Sequence, residues 1–511
     1  MGSSRRAFLK GAGFSLSLAA LPRFPLFRED SFESRLAADP LRPQFHLLPA
    51  KNWMNDPNGP IFWNGFYHMF YQYNPNAAIW GDMHWNHAVS EDMIHWRHLP
   101  IALAPTPGWD DADGCFTGSA VNDNGTATIL YTGVKTTSAD RATLRDGRHN
   151  FREVQCLATS SDPQLRTWIK WKEPVIQPPN DGNLSGFRDP FLWREQKANA
   201  WYLGVASGQF KQGGRVLLYR SRDLRNWEYL HPLASGHWTE KENVNPVDSG
   251  EMWECPDFFP LGRKQVLLYS TGGQVLWETG ELDPKELVFH PQRRGVLDHG
   301  AYYAQKTQLD RRGNRILWGW IPEKRPDSEL VAAGWAGCMA LPRVLSLNAS
   351  DELLMEVVPQ AEALRRKAFF RPADEGDDPP ANSAPPEIEI EDLCGEIQWT
   401  SRCRPSSFTL EDKSGVWLTI DIAPKNSAAV VLVNGEPAAA SCDSSSKLQF
   451  RLYLDGSVAE LICNKKHAYT ARIYRKPNGP LGLRSSKSPR DSIVELEAWQ
   501  LKPISKDRLT S

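Results

Sequence analysis

Ser90-Glu91-Asp92-Met93-Ile94-His95-Trp96 is the first of three short units of one kind. Ser161-Asp162 leads to Trp168, and Ser221-Arg222-Asp223 leads to Trp227. Each unit follows a run of strand-forming residues, and the tryptophans lie 72 and 59 residues apart. One such unit per roughly 60–70 residues, over about 300 residues, predicts four or five blades of a β-propeller. The surrounding sequence agrees. Ile61-Phe62-Trp63, Phe66 to Tyr71, Thr128 to Tyr131, Trp201 to Val205, Val216 to Tyr219, Val266 to Tyr269 and Ile316 to Trp320 are apolar and aromatic runs. Clusters of Gly, Asn, Asp and Pro separate them, as turns separate strands. No long stretch has the 3.6-residue period of a helix.

The chain divides into four parts. In residues 1–40, Ser4-Arg5-Arg6-Ala7-Phe8-Leu9-Lys10 precedes a mild apolar stretch from Gly11 to Leu21, which reads as a bacterial Tat-type export signal followed by a flexible lead-in. The apolar run is too short for a membrane span, which needs about 20 residues. This implies a periplasmic or extracellular protein that has no membrane contact once the signal is removed. Residues 41–345 hold the propeller pattern. Residues 346–386 read as a linker, with a short helix over 359–370 and then a Pro- and Asp-rich loop. In residues 387–511 alternation returns: Leu448, Phe450, Leu452 and Leu454 point one way, Asp455-Gly456 turns, and Val458, Glu460 and Ile462 continue. That is a hairpin of a β-sandwich.

Composition narrows the function. The 511 residues are 41% hydrophobic and 23% charged, with a net charge of −2, so the basic excess of a nucleic-acid binder is absent. Of 20 Trp, 17 lie before residue 346, a bias that suits rings stacked on sugars. The eight Cys contain no Cys-x-x-Cys pair, so neither a zinc site nor any other metal is expected, and no cofactor is implied. Cys394 and Cys403 could bridge in an oxidising compartment. The pairs His84/His87 and His95/His98 read as structural or substrate-lining.

Three carboxylates stand in unusual surroundings: Asp56 in Trp53-Met54-Asn55-Asp56-Pro57-Asn58-Gly59, Asp189 in Phe187-Arg188-Asp189-Pro190, and Glu254 in Met252-Trp253-Glu254-Cys255-Pro256-Asp257. Each has an aromatic nearby and a proline within two residues, which stiffens the backbone and disfavours helix. Acids on stiff backbone beside rings are what glycoside cleavage uses. One must stay ionised to attack, and another must hold a proton near neutral pH.

Further motifs follow in order: Tyr71-Gln72-Tyr73-Asn74-Pro75 with Trp80-Gly81, Gly114-Cys115-Phe116-Thr117-Gly118-Ser119-Ala120, Leu297-Asp298-His299-Gly300-Ala301-Tyr302-Tyr303-Ala304, and Trp335-Ala336-Gly337-Cys338-Met339-Ala340-Leu341-Pro342-Arg343. With these the chain resembles glycoside hydrolase family 32, the invertase, inulinase and levanase group. The resemblance implies an all-β protein, a five-bladed β-propeller followed by a β-sandwich, which hydrolyses terminal β-D-fructofuranosyl linkages of sucrose or fructans. It implies that Asp56 is the nucleophile and Glu254 the general acid and then the general base. Asp189, held by Arg188, would grip the fructose hydroxyls, with the guanidinium keeping the carboxylate ionised. Asn55, Gln72, Trp80, Phe116, Thr117 and Asp298 would line the fructosyl pocket, with Trp318 or Trp320 over it. Trp85-Asn86-His87 stands where Trp-Gly-His is frequent in the family, Thr117 where Ser is common, and His299 where an aromatic is common. These departures bear on leaving-group preference. Fructosyl transfer on the same scaffold and non-catalytic fructan binding are the competing readings. A furanosidase for arabinan or xylan is disfavoured by the Asp56 motif.

Overall fold

A computed structural model describes residues 31–144, 146–180, 183–370, 388–425, 428–442, 447–485 and 493–505. The twin-arginine signal and the Pro- and Asp-rich loop lie outside the described residues. Among the described residues, no helix is long and apolar enough to cross a membrane.

Five antiparallel blades follow one another along the chain. The first holds β1 (Asn52–Trp63), β2 (Phe66–Asn74), β3 (His84–Ser90) and β4 (Trp96–Leu103). The second holds β5 (Gly114–Asp123), β6 (Thr126–Thr136), β7 (Phe151–Ser160) and β8 (Ile169–Lys170). The third holds β9 (Leu184–Glu195), β10 (Ala200–Gln209), β11 (Gly213–Ser221) and β12 (Glu228–Ser235). The fourth holds β13 (Glu254–Leu261), β14 (Lys264–Thr271), β15 (Gln274–Leu282) and β16 (Phe289–Asp298). The fifth begins with β17 (Tyr303–Leu309) and β18 (Arg315–Ile321). After the short β19 (Trp335–Ala336) and β20 (Cys338–Met339) it is completed by β21 (Arg343–Leu347) and β22 (Leu353–Val357). β19 instead pairs in parallel with β1, through Asn52↔Trp335 and Trp53↔Ala336, and so ties the end of the propeller to its beginning. The first strands of the blades neighbour one another in sequence order, and β17 packs against both β13 and β1.

The Ser–Asp–Trp units are the turns between third and fourth strands. Ser90 Oγ accepts the amides of Asp92 and Met93, Asp92 Oδ1 accepts those of Ile94 and His95, and Trp96 Nε1 donates to the Met93 carbonyl. Ser221, Asp223 and Trp227 repeat the pattern on Leu224. In blade two the serine in use is Ser160, one residue before the expected Ser161, with Trp168 Nε1 on Leu165. Met93, Leu165 and Leu224 all have φ between 55° and 68°, which the side-chain cap holds in place. Asp283 caps Lys285 and Glu286 in the same way in blade four, where neither the serine nor the tryptophan is present to mark it.

The propeller runs past 345, because β21 and β22 form the outer half of blade five and reach Val357. The expected helix over 359–370 is a six-residue 3-10 helix, Pro359–Leu364, followed by a strand, Arg365–Phe370. Residues 32–38 form a helix (Phe32–Ala38) rather than a flexible lead-in. Ser31 caps it, Leu36 is buried, and Asp39 beyond it accepts from Trp335 Nε1.

Beyond the 3-10 helix lies the sandwich, with one sheet of Lys447–Asp455 and its neighbours and a facing sheet around Gly415–Lys425. Its core includes Ile397, Trp399, Phe408, Ile420, Phe450 and Leu452. The predicted hairpin is present; the register Asp455↔Val458 makes Gly456-Ser457 the two-residue loop. Gly456 sits at φ 56°, where a Cβ would meet the Leu41 carbonyl at 2.7 Å. Cys403 is in a disulfide, but Cys394 is a buried thiol whose Sγ points at the Leu501 carbonyl, so the 394–403 bridge does not form.

A buried ionic cluster joins propeller and sandwich. His46 lies between Asp455 (Nδ1 to Oδ2, 2.7 Å) and Glu460 (Nε2 to Oε1, 2.8 Å), and Arg343 Nη2 donates to Asp298 and Glu460. Burial alone would lower the His46 pKa, but the two carboxylates outweigh it and raise it to about 9. A raised folded-state pKa adds stability that is complete below about 6.5, shrinks as pH rises, and is gone above about 9. Thermal stability should therefore fall between pH 7 and 9.5. The His46→Gln variant should lose that part of the slope; an identical slope in the variant would refute this charge assignment.

Candidate active site

All five first strands carry the same irregularity at the same place. Two residues of the inner strand oppose one residue of the second strand, which is a β-bulge. Asn55-Asp56 face Gln72, Phe116-Thr117 face Thr132, and Asp189-Pro190 face Val205. Cys255-Pro256 face Tyr269, and Ala304-Gln305 face Gly319. Each bulge lies near the start of its strand. A bulge re-aims side chains and tolerates a proline that a regular ladder would reject, so the prolines after Asp56, Asp189 and Cys255 stand where the ladder is already broken. Asp189 (φ 60°), Cys255 (φ 47°) and Ala304 (φ 54°) hold left-handed backbone there, a strain of the kind that clusters at functional sites.

These bulges bring the three acids together. Asp56 Oδ2 accepts from Thr117 Oγ1 at 2.6 Å, and Oδ1 accepts from Asn55 Nδ2 at 3.1 Å, whose own Oδ1 is held by Trp53 Nε1. Cys255 Sγ lies 3.3 Å from Asp56 Oδ2 and 3.5 Å from Asp189 Oδ2, and the Cys255 amide donates to Asp189 at 2.8 Å. Glu254 receives Arg188 on Oε1 (Nη2 2.9 Å, Nε 3.2 Å) and Tyr303 Oη on Oε2 at 2.7 Å. Positions 56 and 254 therefore face one site, at the starts of two inner strands.

The electrostatics follow from crowding. Burial raises the Asp56 pKa and Glu254 adds to the rise, while the hydrogen bonds from Thr117, Asn55 and Cys255 oppose it. Burial pushes Asp189 up to about 7, against the pull of Arg188 and with Glu254 and Asp56 reinforcing it. The expectation that Arg188 keeps Asp189 ionised is thus corrected. The guanidinium is spent on Glu254 and, through Nη1 at 2.8 Å, on Glu153, and no hydrogen bond joins it to Asp189. The Cys255 thiol is driven well above its ordinary range by burial and by Asp189 and Asp56, so it stays protonated as a donor.

Around the acids stands an aromatic wall. Trp80, 39% exposed, meets Phe116 edge-on at 6.0 Å and His149 at 4.9 Å. Trp320 packs edge-on against Trp53 at 5.8 Å. Trp318 is buried against Trp96 in the core, which leaves Trp320 as the ring at the site. Gln72 stands opposite the Asn55-Asp56 bulge, as buried as Thr117 (each 2% exposed), and donates to the Cys115 carbonyl, tying blades one and two at the site. One expected lining residue lies elsewhere. Asp298 is 1% exposed at the outer edge of blade four, where it accepts from Arg343 Nη2, Thr470 Oγ1 and the Gly300 amide; it belongs to the propeller–sandwich joint. Its partners are distant in sequence, and the expectation that it lines the pocket rests only on the family resemblance of Leu297 to Ala304. Of the histidines, His87 Nε2 lies 2.9 Å from His68 Nδ1 in the interior of blade one, and His95 pairs with Asp92 in its turn.

Tyr303 and Glu153 were not among the expected site residues. Tyr303 is the second of two tyrosines in Leu297 to Ala304, and only its place at the start of an inner strand marks it. Glu153, in Phe151-Arg152-Glu153, carried no signal.

Two carboxylates on inner propeller strands, one beside a hydroxyl and one beside a guanidinium and a phenol, define a glycosidase-type site. The comparisons with known proteins agree. The model for the glycosyl hydrolases family 32 N-terminal domain matches residues 46–357. A sucrose-6-phosphate hydrolase of Escherichia coli is 36% identical over 464 residues, covering 85% of this chain and 90% of that protein. Among solved structures, a GH32 beta-fructofuranosidase of Bombyx mori aligns with a TM-score of 0.73 at 30% identity, covering 91% of this chain and 95% of that one. Fructan 1-exohydrolase IIa of Cichorium intybus aligns with a TM-score of 0.72 at 26% identity, covering 91% and 98%. The chain belongs to glycoside hydrolase family 32, and is a glycoside hydrolase of the β-fructofuranosidase type.

Proposed function

We propose that the protein is a retaining β-fructosidase that releases terminal fructose from sucrose and fructans. The observation that carries this reading is the different wiring of two acids in one site. Asp56 accepts three donors, from Thr117, Asn55 and Cys255, as suits a carboxylate that must attack as an anion. Glu254 reaches the same space with a guanidinium on one oxygen and a phenol on the other.

In the first displacement, an oxygen of Asp56 bonds to the anomeric carbon as the glycosidic C–O bond breaks. The electron pair stays on the leaving oxygen, which takes the proton from Glu254. In the second, Glu254 removes a proton from water, and the water oxygen displaces Asp56 from the fructosyl carbon. Two displacements retain configuration, as retaining glycosidases do with carboxyls about 5–5.5 Å apart. Asp189, adjacent to both acids, binds fructose hydroxyls. Asn55, Phe116 and Thr117 line the fructosyl pocket, and Trp80 and Trp320 wall its mouth.

Sucrose, inulin and levan, each followed by thin-layer chromatography over time, test the reading. Free fructose should appear from the first minutes, with no ladder of intermediate oligomers. Trisaccharides accumulating from concentrated sucrose would instead mark a transferase, and binding without any cleavage would mark a fructan-binding protein. Arg5-Arg6 and the apolar stretch after them support export by a Tat-type route to the periplasm or the outside of the cell. Secretion in a Tat-competent host, lost in the Arg5→Lys/Arg6→Lys variant, is the corresponding test.

A further inference from the structure

The Arg188 guanidinium has two carboxylates on it, and only one is in the reaction. Its Nη2 and Nε hold Glu254 Oε1, while Nη1 donates to Glu153 Oε1 at 2.8 Å. The other oxygen of Glu153 accepts the Phe187 amide at 2.8 Å, and the Glu153 amide donates to Thr143 Oγ1. Glu153 has no exposed side-chain surface, against 7% for Arg188 and 24% for Glu254. The guanidinium threads past Gly186, where a Cβ would lie 2.9 Å from Nη1 and 2.7 Å from Met252. Its position between the two acids is therefore fixed by backbone as well as by charge.

A buried acid in that position costs desolvation, and an arginine could hold Glu254 without it. The electrostatics give it a use. A guanidinium hydrogen-bonded to a carboxyl favours the ionised form. The reaction needs the opposite in its first step, because Glu254 must carry a proton to the leaving oxygen. We propose that Glu153 is a positioning residue for the proton donor: it neutralises the far end of Arg188, so that the guanidinium orients Glu254 without stripping its proton. The proposal rests on the reading of Glu254 as the acid. The other groups facing Glu254 are Asp189 beside Arg188, Asp56 on β1, Cys255 on its own strand, Tyr303 on β17 and Asp248 in the loop before β13, with Lys306 facing Cys255. Among these described groups, Arg188 is the cation hydrogen-bonded to Glu254, and Glu153 is its second carboxylate partner.

The test is Glu153→Gln, which keeps the shape and an acceptor for the Phe187 amide but removes the charge. Wild type, Glu254→Gln and Glu153→Gln are each assayed on sucrose and on a nitrophenyl β-fructofuranoside, whose leaving group departs without a proton. For sucrose, the alkaline limb of the kcat/KM profile should move down by about one pH unit, with roughly a tenfold loss on that limb. The nitrophenyl substrate should be cleaved at close to the wild-type rate. Glu153→Asp, which draws the carboxylate back from Nη1, should move the limb the same way by less. A limb that stays in place in whichever variant folds, or an equal loss on both substrates, overturns the proposal. A wild type inactive on both substrates, or a Glu254→Gln variant as fast as wild type on sucrose, would instead overturn the fructosidase reading itself.

Discussion

Asp56→Asn should leave almost no turnover of sucrose, a loss of at least four decades in kcat, with the fold and thermal stability nearly unchanged. The amide is isosteric and can still meet Thr117 and Asn55, but it has no charge with which to attack the anomeric carbon. Loss of a group that acts within a covalent mechanism costs far more than one binding contact. Glu254→Gln should lose less on sucrose, about 10²–10⁴, the usual worth of general acid–base help. It should lose least on substrates with good leaving groups, where only the second displacement needs it. Removing Asp56 should also relieve crowding on Asp189, whose pKa near 7 reflects burial first and the neighbouring carboxylates after it. Near-wild-type turnover in Asp56→Asn, measured on protein freed of any wild-type contamination, would remove the nucleophile from the account.

Arg343→Met should destabilise the protein by about 3–5 kcal/mol, the cost of breaking a buried ion pair from one side. Arg343 is 0% exposed, donates through Nη2 to Asp298, Glu460 and Thr470, and lies over the Tyr302 ring at 4.7 Å. Its neighbours fix the sign of the effect. Glu460 is held at a pKa of about 2, where the favourable charges of Arg343 and His46 outweigh the burial that would raise it. Without Arg343, two acids remain buried between propeller and sandwich with fewer partners. Unfolding in urea should change from one transition to two, the sandwich loosening from the propeller first. Adding Asp298→Asn to Arg343→Met should recover part of the loss, since the two changes share a contact and cannot be additive. A loss under about 1 kcal/mol with a single transition would mean that the cluster does not hold the joint.

The parts legible in the sequence are those encoded by neighbours along the chain. The turn of Ser90, Asp92 and Trp96 closes within seven residues, so its repeats announce blades. Asp56-Pro57 and Asp189-Pro190 announce broken ladder for the same reason, and the alternation from Leu448 to Leu454 announces a half-buried strand. What was not legible depends on contacts across the fold. Asp298 meets Arg343, Thr470 and, through the arginine, Glu460, so its task at the joint has no local signature. Arg188 stands beside Asp189 in sequence but gives its hydrogen bonds to Glu153 and Glu254 in space, because the bulge at Asp189-Pro190 re-aims the side chains there. The helix at Phe32–Ala38 was missed because its stability comes from packing by Leu36 and from the Asp39–Trp335 contact beyond its end.

The central claim is that Asp56 becomes covalently joined to fructose. Peptide mapping by mass spectrometry, on Glu254→Ala quenched in acid during turnover of a nitrophenyl β-fructofuranoside, tests it directly, because that variant forms the intermediate but has lost the base that hydrolyses it. The account predicts a single fructosyl adduct on the peptide that contains Asp56. An adduct on another residue, or rapid release of inverted fructose with every peptide unmodified, would contradict it.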